Sequence, residues 1–199
     1  MRTDASVEPV RIDENDALIV VDPQNDFCAG GSLEVPGGDE VIPPINRAMP
    51  KFRHVVATQD WHPPDHRFFQ QYGGPWPFHC LQGSHGAEFH PKLDADLIQE
   101  VVKTGSDPYL DGYSGFAGTD LADTLRRRGV RRVFVAGLAT DYCVKMTAIE
   151  SVQNGFDTYV LTDAIRPVEV QPGDGERALR AMADAGAHLI TSEALAAES

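Results

Sequence analysis

The feature that most constrains this chain is a rhythm. Short uninterrupted apolar runs, each closed at or soon after its end by a polar residue or glycine, alternate with stretches of helical period. Residues 17–21, Ala-Leu-Ile-Val-Val, form the first run and stop at Asp22 and Pro23. His54–Thr58, Leu97–Val102, Val133–Ala136, Thr158–Leu161 and His188–Thr191 repeat the pattern, giving six candidate strands. A strand buried on both faces reads as such a run, without polar alternation. Between the runs, Asp39–Met49, Thr119–Arg128, Cys143–Asn154 and Gly175–Ala185 carry helical spacing, with Leu121 and Leu125 on one face of the second. Strand and helix in alternation require crossover connections, hence a three-layer α/β domain: a six-stranded parallel sheet with helices on both faces.

With 199 residues and 42% apolar residues spread along the chain, one substantial core is expected. A loose tail is expected over residues 1–14 and a single domain over 15–199. Seventeen Lys and Arg against 30 Asp and Glu give a formal charge of -13, a field that repels phosphate backbones and anionic lipid. Neither nucleic acid nor a membrane is therefore an expected partner. The N-terminal residues lack the apolar segment of a signal peptide, and no run approaches the length of a membrane helix, so a cytoplasmic protein is expected. Cys28, Cys80 and Cys143 cannot all pair, and a reducing compartment keeps thiols free. The sequence leaves the oligomeric state open, a homo-oligomer included.

One stretch breaks the rhythm. Trp61–Lys92 is crowded with Pro, Gly and aromatic residues and holds five histidines: His62, His66, His79, His85 and His90. A connection of that length is functional or disordered, and its aromatic content argues for the first. Asp60, His62 and His66 supply a carboxylate and two imidazoles within seven residues, donors that suit Zn, Mn or Fe. The same pattern also fits a polar loop with scattered histidines, and Pro63 and Pro64 disfavour a regular helix between the pair.

In open α/β sheets ligands bind beyond the carboxyl ends of the strands. Asp22, Asp60 with His62, Lys103, and Thr140–Cys143 all close apolar runs there, so they are expected to converge. Cys143 opens a helical pattern, where the positive end of the helix dipole and a nearby Lys103 would favour thiolate, with Asp22 as its proton acceptor. Backbone N–H groups at that helix start would bind an oxyanion. Taken singly, each residue has a plain structural reading: a small buried thiol, a strand end, an exposed cation. Their common placement is what marks a site. Cys28 and Cys80 open no helix after a strand and read as packing or site lining.

At these residues the sequence resembles the nicotinamidase/pyrazinamidase branch of the isochorismatase-like cysteine hydrolases. The pieces run in order from Val-Asp22-Pro-Gln-Asn-Asp-Phe27 and Gly30-Gly-Ser-Leu, through Thr58-Gln-Asp60-Trp-His62 with His66, to Trp76-Pro-Phe-His79-Cys and Phe89-His-Pro. They end with Lys103-Thr-Gly, Tyr113-Ser-Gly-Phe116 and Gly137-Leu-Ala-Thr-Asp-Tyr-Cys143-Val. The resemblance implies hydrolysis of nicotinamide, and of pyrazinamide, in NAD salvage, with Asp22 as base, Lys103 as its support and Cys143 as nucleophile. It implies one divalent ion per chain, Zn, Mn or Fe, held by Asp60, His62, His66 and His79. It further implies a cis peptide between Leu138 and Ala139 that turns the Ala139 and Cys143 amides into an oxyanion hole. Phe27, Trp76 and Tyr113 would enclose the pyridine ring, and Tyr142 stands where many relatives carry His. Other hydrolases of the superfamily usually lack the metal loop, a silent scaffold would be expected to have lost reacting groups, and a thiol redox protein would need a C-x-x-C pair that is absent here.

Overall fold

The computed structural model describes residues 9–197. Its strands are β1 (Val10–Arg11), β2 (Asp16–Val21), β3 (His54–Asp60), β4 (Glu100–Thr104), β5 (Arg132–Leu138), β6 (Asp157–Arg166), β7 (His188–Ile190) and β8 (Leu195–Ala196). Its helices are α1 (Ile42–Ala48), α2 (Leu121–Arg127), α3 (Lys145–Gln153) and α4 (Asp174–Ala185). Six strands form one parallel sheet in the order β4-β3-β2-β5-β6-β7. Each of the six apolar runs contributes a strand to it, so the expected architecture is the observed one.

Strand alternation divides the core between the two faces. Leu18 and Val20 of β2 join Val55 and Ala57 of β3 and Ile42 and Ile45 of α1 on one side. Ala17, Ile19 and Val21 join Val56, Leu121 and Leu125 of α2, Ala148 of α3 and Met182 of α4 on the other. Residues 17–21 have no exposed surface, which is why they show no polar alternation. Close contact between β2 and β5 depends on Gly137, at φ 120°. A Cβ there would lie 2.1 Å from the carbonyl oxygen of Val21. The register of β5 on β6 shifts at that point.

Two details depart from expectation. Of the tail expected over residues 1–14, residues 1–8 lie outside the described part; Val10 and Arg11, however, pair in parallel with Leu195 and Ala196, and Ile12 is buried. The folded chain thus begins before residue 15. The third apolar run, expected at Leu97–Val102, begins as a 3-10 turn over Ala95–Leu97, and its strand lies at Glu100–Thr104. Trp61–Lys92 contains two short 3-10 turns, is folded on itself by isolated bridges from His62 to Leu81 and from Phe69 to Trp76, and is tied to the body by one from Phe89 to Gln24.

Candidate active site

Asp22 follows β2, where the backbone turns through φ 46° before Pro23. Asp carries this left-handed conformation at lower cost than most residues. The Asp22 amide donates to Thr58 Oγ1 (3.1 Å), and the Thr58 hydroxyl donates to Asp22 Oδ1 (2.6 Å). The Cys143 thiol lies beside Asp22: one ligating atom from each of Asp22, Asp60 and Cys143 lies within 4.8 Å of the others. Cys143 sits in a five-residue turn, Thr140–Val144, of π geometry that leads into α3. The preceding Leu138–Ala139 peptide is cis, and the Ala139 carbonyl accepts from both Tyr142 and Val144.

Burial governs the electrostatics. Desolvation, followed by the field of Asp60, raises the Asp22 carboxyl well above its usual 3.8, opposed by its bonds to Thr58 and Cys143. Desolvation, then Asp22 and Asp60, raises the Cys143 thiol well above its usual 9.0. This corrects the expectation of a stabilised thiolate: two buried carboxylates and lost hydration outweigh a turn dipole. The surroundings therefore favour the neutral thiol at Cys143.

Lys103 does not reach this group. On β4, Thr104 pairs in register with Asp60 and Lys103 with Gln59. Side chains alternate, so Thr104 shares the face of Asp60 and Cys143, whereas Lys103 points to the opposite face. There Lys103 is exposed, its Nζ 3.8 Å from the centre of the Trp61 ring. Thr104, buried, donates from Oγ1 to Asp60 Oδ1 (3.0 Å). A strand register that sequence spacing does not reveal has exchanged the two neighbours.

Asp60, His62, His66 and His79 gather in one buried corner. The Gln24 side chain holds the Asp60 backbone at both ends, accepting from its N–H and donating to its carbonyl, each at 2.8 Å. His62 Nδ1 donates to the Gly105 carbonyl (2.9 Å) and His79 Nδ1 to the Pro77 carbonyl (2.8 Å). Both Nε2 atoms therefore point lone pairs inward, at 3.2 and 3.8 Å from Asp60 Oδ2. Lone pairs that face a carboxylate this closely need a cation or a proton between them. His66 Nε2 is buried without a hydrogen-bond partner, and the His66 and His62 ring centres are 4.4 Å apart. Burial and the neighbouring His62 lower the His66 pKa to about 4, which leaves a neutral imidazole, the form that ligates. The donors fit a divalent ion. Gly105 is required here, since a Cβ at φ 65° would lie 2.3 Å from the His62 ring. His85 and His90 take no part: they pair with Glu88 and Asp39, both at 2.9 Å.

A cavity between these groups is lined by Phe27, Leu33, Trp76, Tyr113, Tyr142 and Val168, together with Asp60, His79, Ala139 and Cys143. Trp76 Nε1 donates to the Tyr113 hydroxyl (2.9 Å), which joins two separate loops, and Tyr142 packs edge-on to Trp76 at 4.8 Å. Thr58, Gln24, Thr104, Leu33 and Val168 are the contributors that sequence reasoning missed. The position of Thr58 two residues before Asp60, on the same strand face, was the available signal.

A parallel sheet whose strand ends bring a buried cysteine, two buried carboxylates and a group of histidines able to hold a cation beside one cavity has the build of an α/β hydrolase. Comparison narrows the class: residues 16–194 match the isochorismatase domain, and the chain belongs to the isochorismatase family. It is 40% identical to the nicotinamidase of Escherichia coli over 200 residues, covering 88% of this chain and 94% of that one. Among solved structures, PnC1 from L. infantum in complex with nicotinate superposes with a TM-score of 0.91 at 42% identity, covering 96% of this chain and 100% of that one. The pyrazinamidase of Pyrococcus horikoshii in complex with zinc gives 0.82 at 45% identity, covering 89% and 99%.

Proposed function

We propose that this protein is a nicotinamidase that converts nicotinamide, and pyrazinamide by the same chemistry, into the free acid and ammonia, and that it serves NAD salvage in the cytoplasm. The single observation that carries the reading is the buried Asp22–Cys143 pair, within 4.8 Å of each other, with Cys143 lining an aromatic cavity that Asp60 and His79 also line. Trp76, Tyr113 and Phe27 enclose a flat heteroaromatic ring, and Cys143 lies where the carboxamide would reach. As the thiol sulfur bonds the amide carbon, its proton passes to Asp22, and the carbonyl electrons move onto oxygen. The Ala139 and Cys143 amides receive that oxyanion. Collapse expels the nitrogen, which takes the proton from Asp22 and leaves as ammonia. Water then cleaves the thioester, giving its proton to Asp22, and the thiol is restored.

Asp60, His62, His66 and His79 would hold one divalent ion, Zn, Mn or Fe. When bound, it supplies a Lewis-acid centre beside the ring and a positive field at the two carboxylates. Zinc in the Pyrococcus relative supports this assignment. The test is ammonia release from nicotinamide by the purified protein, with and without chelator, and by Cys143→Ala. Turnover that is lost in Cys143→Ala, in a protein of unchanged melting temperature, is expected; retained turnover removes the nucleophile.

A further inference from the structure

We propose that Thr58 is the positioning residue of the acyl transfer, the third member of a Cys143–Asp22–Thr58 chain that works without a lysine; the proposal rests on the hydrolase reading above. A nucleophile and its base need a third group that fixes the base. On the face of the sheet that carries Asp22 and Cys143, β4 presents Thr104 and β3 presents Thr58. Lys103 lies on the other face. Orientation of Asp22 therefore falls to a neutral hydroxyl.

Three observations show that this hydroxyl is aimed. Thr58 is buried, with 1% of its surface exposed. Its oxygen accepts the Asp22 amide proton, so its own proton has one direction left, toward Asp22 Oδ1 at 2.6 Å. Its methyl group is confined as well: a Cβ on Gly115 would lie 2.8 Å from Thr58 Cγ2, and the Gly115 amide is anchored on Thr147 Oγ1 at 3.1 Å. A β-branched side chain pinned at its methyl cannot swing its hydroxyl away. Oδ1 is thus held in place, beside the Cys143 sulfur, which lies within 4.8 Å of an Asp22 carboxylate oxygen.

The chemistry suits a neutral partner. Asp22 must first accept the Cys143 proton, as the S–C bond forms, and later return it to the departing nitrogen, as the C–N bond breaks. An adjacent ammonium would hold the carboxylate charged and resist the first transfer. A single hydroxyl donor fixes its geometry and leaves more of its basicity.

The experiment compares the full-length, zinc-loaded protein with Thr58→Val, which keeps shape and removes the donor, and Thr58→Ser, which restores it. For Thr58→Val, kcat with nicotinamide should fall roughly 10- to 100-fold, the range of a lost hydrogen bond to a charged group, while KM stays within about twofold. Thr58→Ser should return kcat to within about threefold of the native value, a rescue that a packing role for the methyl would not give. Alkylation of Cys143 by iodoacetamide at neutral pH gives a substrate-independent reading and should slow and recover in the same order. A native kcat in Thr58→Val, or a Thr58→Ser protein as slow as Thr58→Val with equal zinc content and melting temperature, overturns the proposal. If the native protein releases no ammonia, the functional reading falls alone, and the alkylation series still decides the role of Thr58.

Discussion

Replacement of Lys103 by Met gives the most direct check on the electrostatics described above. A cation within about 4 to 6 Å of a thiol or carboxylate shifts its pKa by roughly 1 to 3 units, so removing one from the reacting pair would change reactivity about tenfold to a thousandfold. Lys103 Nζ instead lies 3.8 Å from the centre of the Trp61 ring on the opposite face of the sheet. A contact of that kind at an exposed position contributes about 0.5 to 1 kcal/mol. Methionine keeps a flexible stem and a sulfur for the same ring, which offsets part of that. The expected outcome is therefore a melting temperature lower by no more than about 4 °C and a kcat/KM for nicotinamide within about twofold of native. Ammonia release under initial-rate conditions measures the second, and the iodoacetamide rate of Cys143 against pH measures the thiol independently. A tenfold fall in kcat/KM with an unchanged melting temperature would refute the placement, because it would show that the ammonium acts on the reacting pair.

Loss of a metal ligand should act on substrate binding first: His79→Ala should not retain zinc in competition with a chelator and should raise KM more than it slows Cys143 alkylation. Equal zinc affinity in native and variant protein would remove His79 from the site. On the acid side, the base must be deprotonated to accept the thiol proton, and burial with Asp60 raises its pKa above 3.8. The rate should therefore be present at higher pH and fall as pH drops through that raised value, so a kcat/KM profile that stays flat down to about pH 4 would contradict it. Gly137→Ala, which forces a Cβ to 2.1 Å from the Val21 carbonyl at φ 120°, should cost about 2 kcal/mol or more in urea unfolding. A cost below about 0.5 kcal/mol would show that β2 and β5 tolerate separation.

The sheet was legible in the sequence because strands buried on both faces write themselves as apolar runs, and Asp22, Asp60 and Cys143 were legible because they close such runs. Lys103 was misplaced by one residue for a physical reason. Spacing reveals that a strand exists, but the side-chain period of two makes its register decide which neighbour points inward, and β4 starts at Glu100, three residues after the run begins. The thiol was misjudged because the dipole of a helix start is visible in sequence, whereas two carboxylates brought from other strands are not. Gln24 gave no signal, a glutamine before a loop being ordinary until its partner at Asp60 is seen, and Thr58 gave only its place two residues before Asp60 on the same strand face.

The order of the strands carries one more consequence. Asp22 follows β2, Asp60 ends β3 and Cys143 follows β5, strands that are neighbours in the sheet but far apart along the chain. No contiguous segment contains these three side chains, and a one-residue slip of any of these strands would turn its contribution to the wrong side. Catalysis thus serves as a built-in assay of assembly. During refolding from denaturant, helical content can return with local structure, whereas turnover returns only when β2, β3 and β5 have all docked in register. Ammonia release therefore measures the fraction of chains that have completed the sheet, a quantity that bulk spectroscopy averages away.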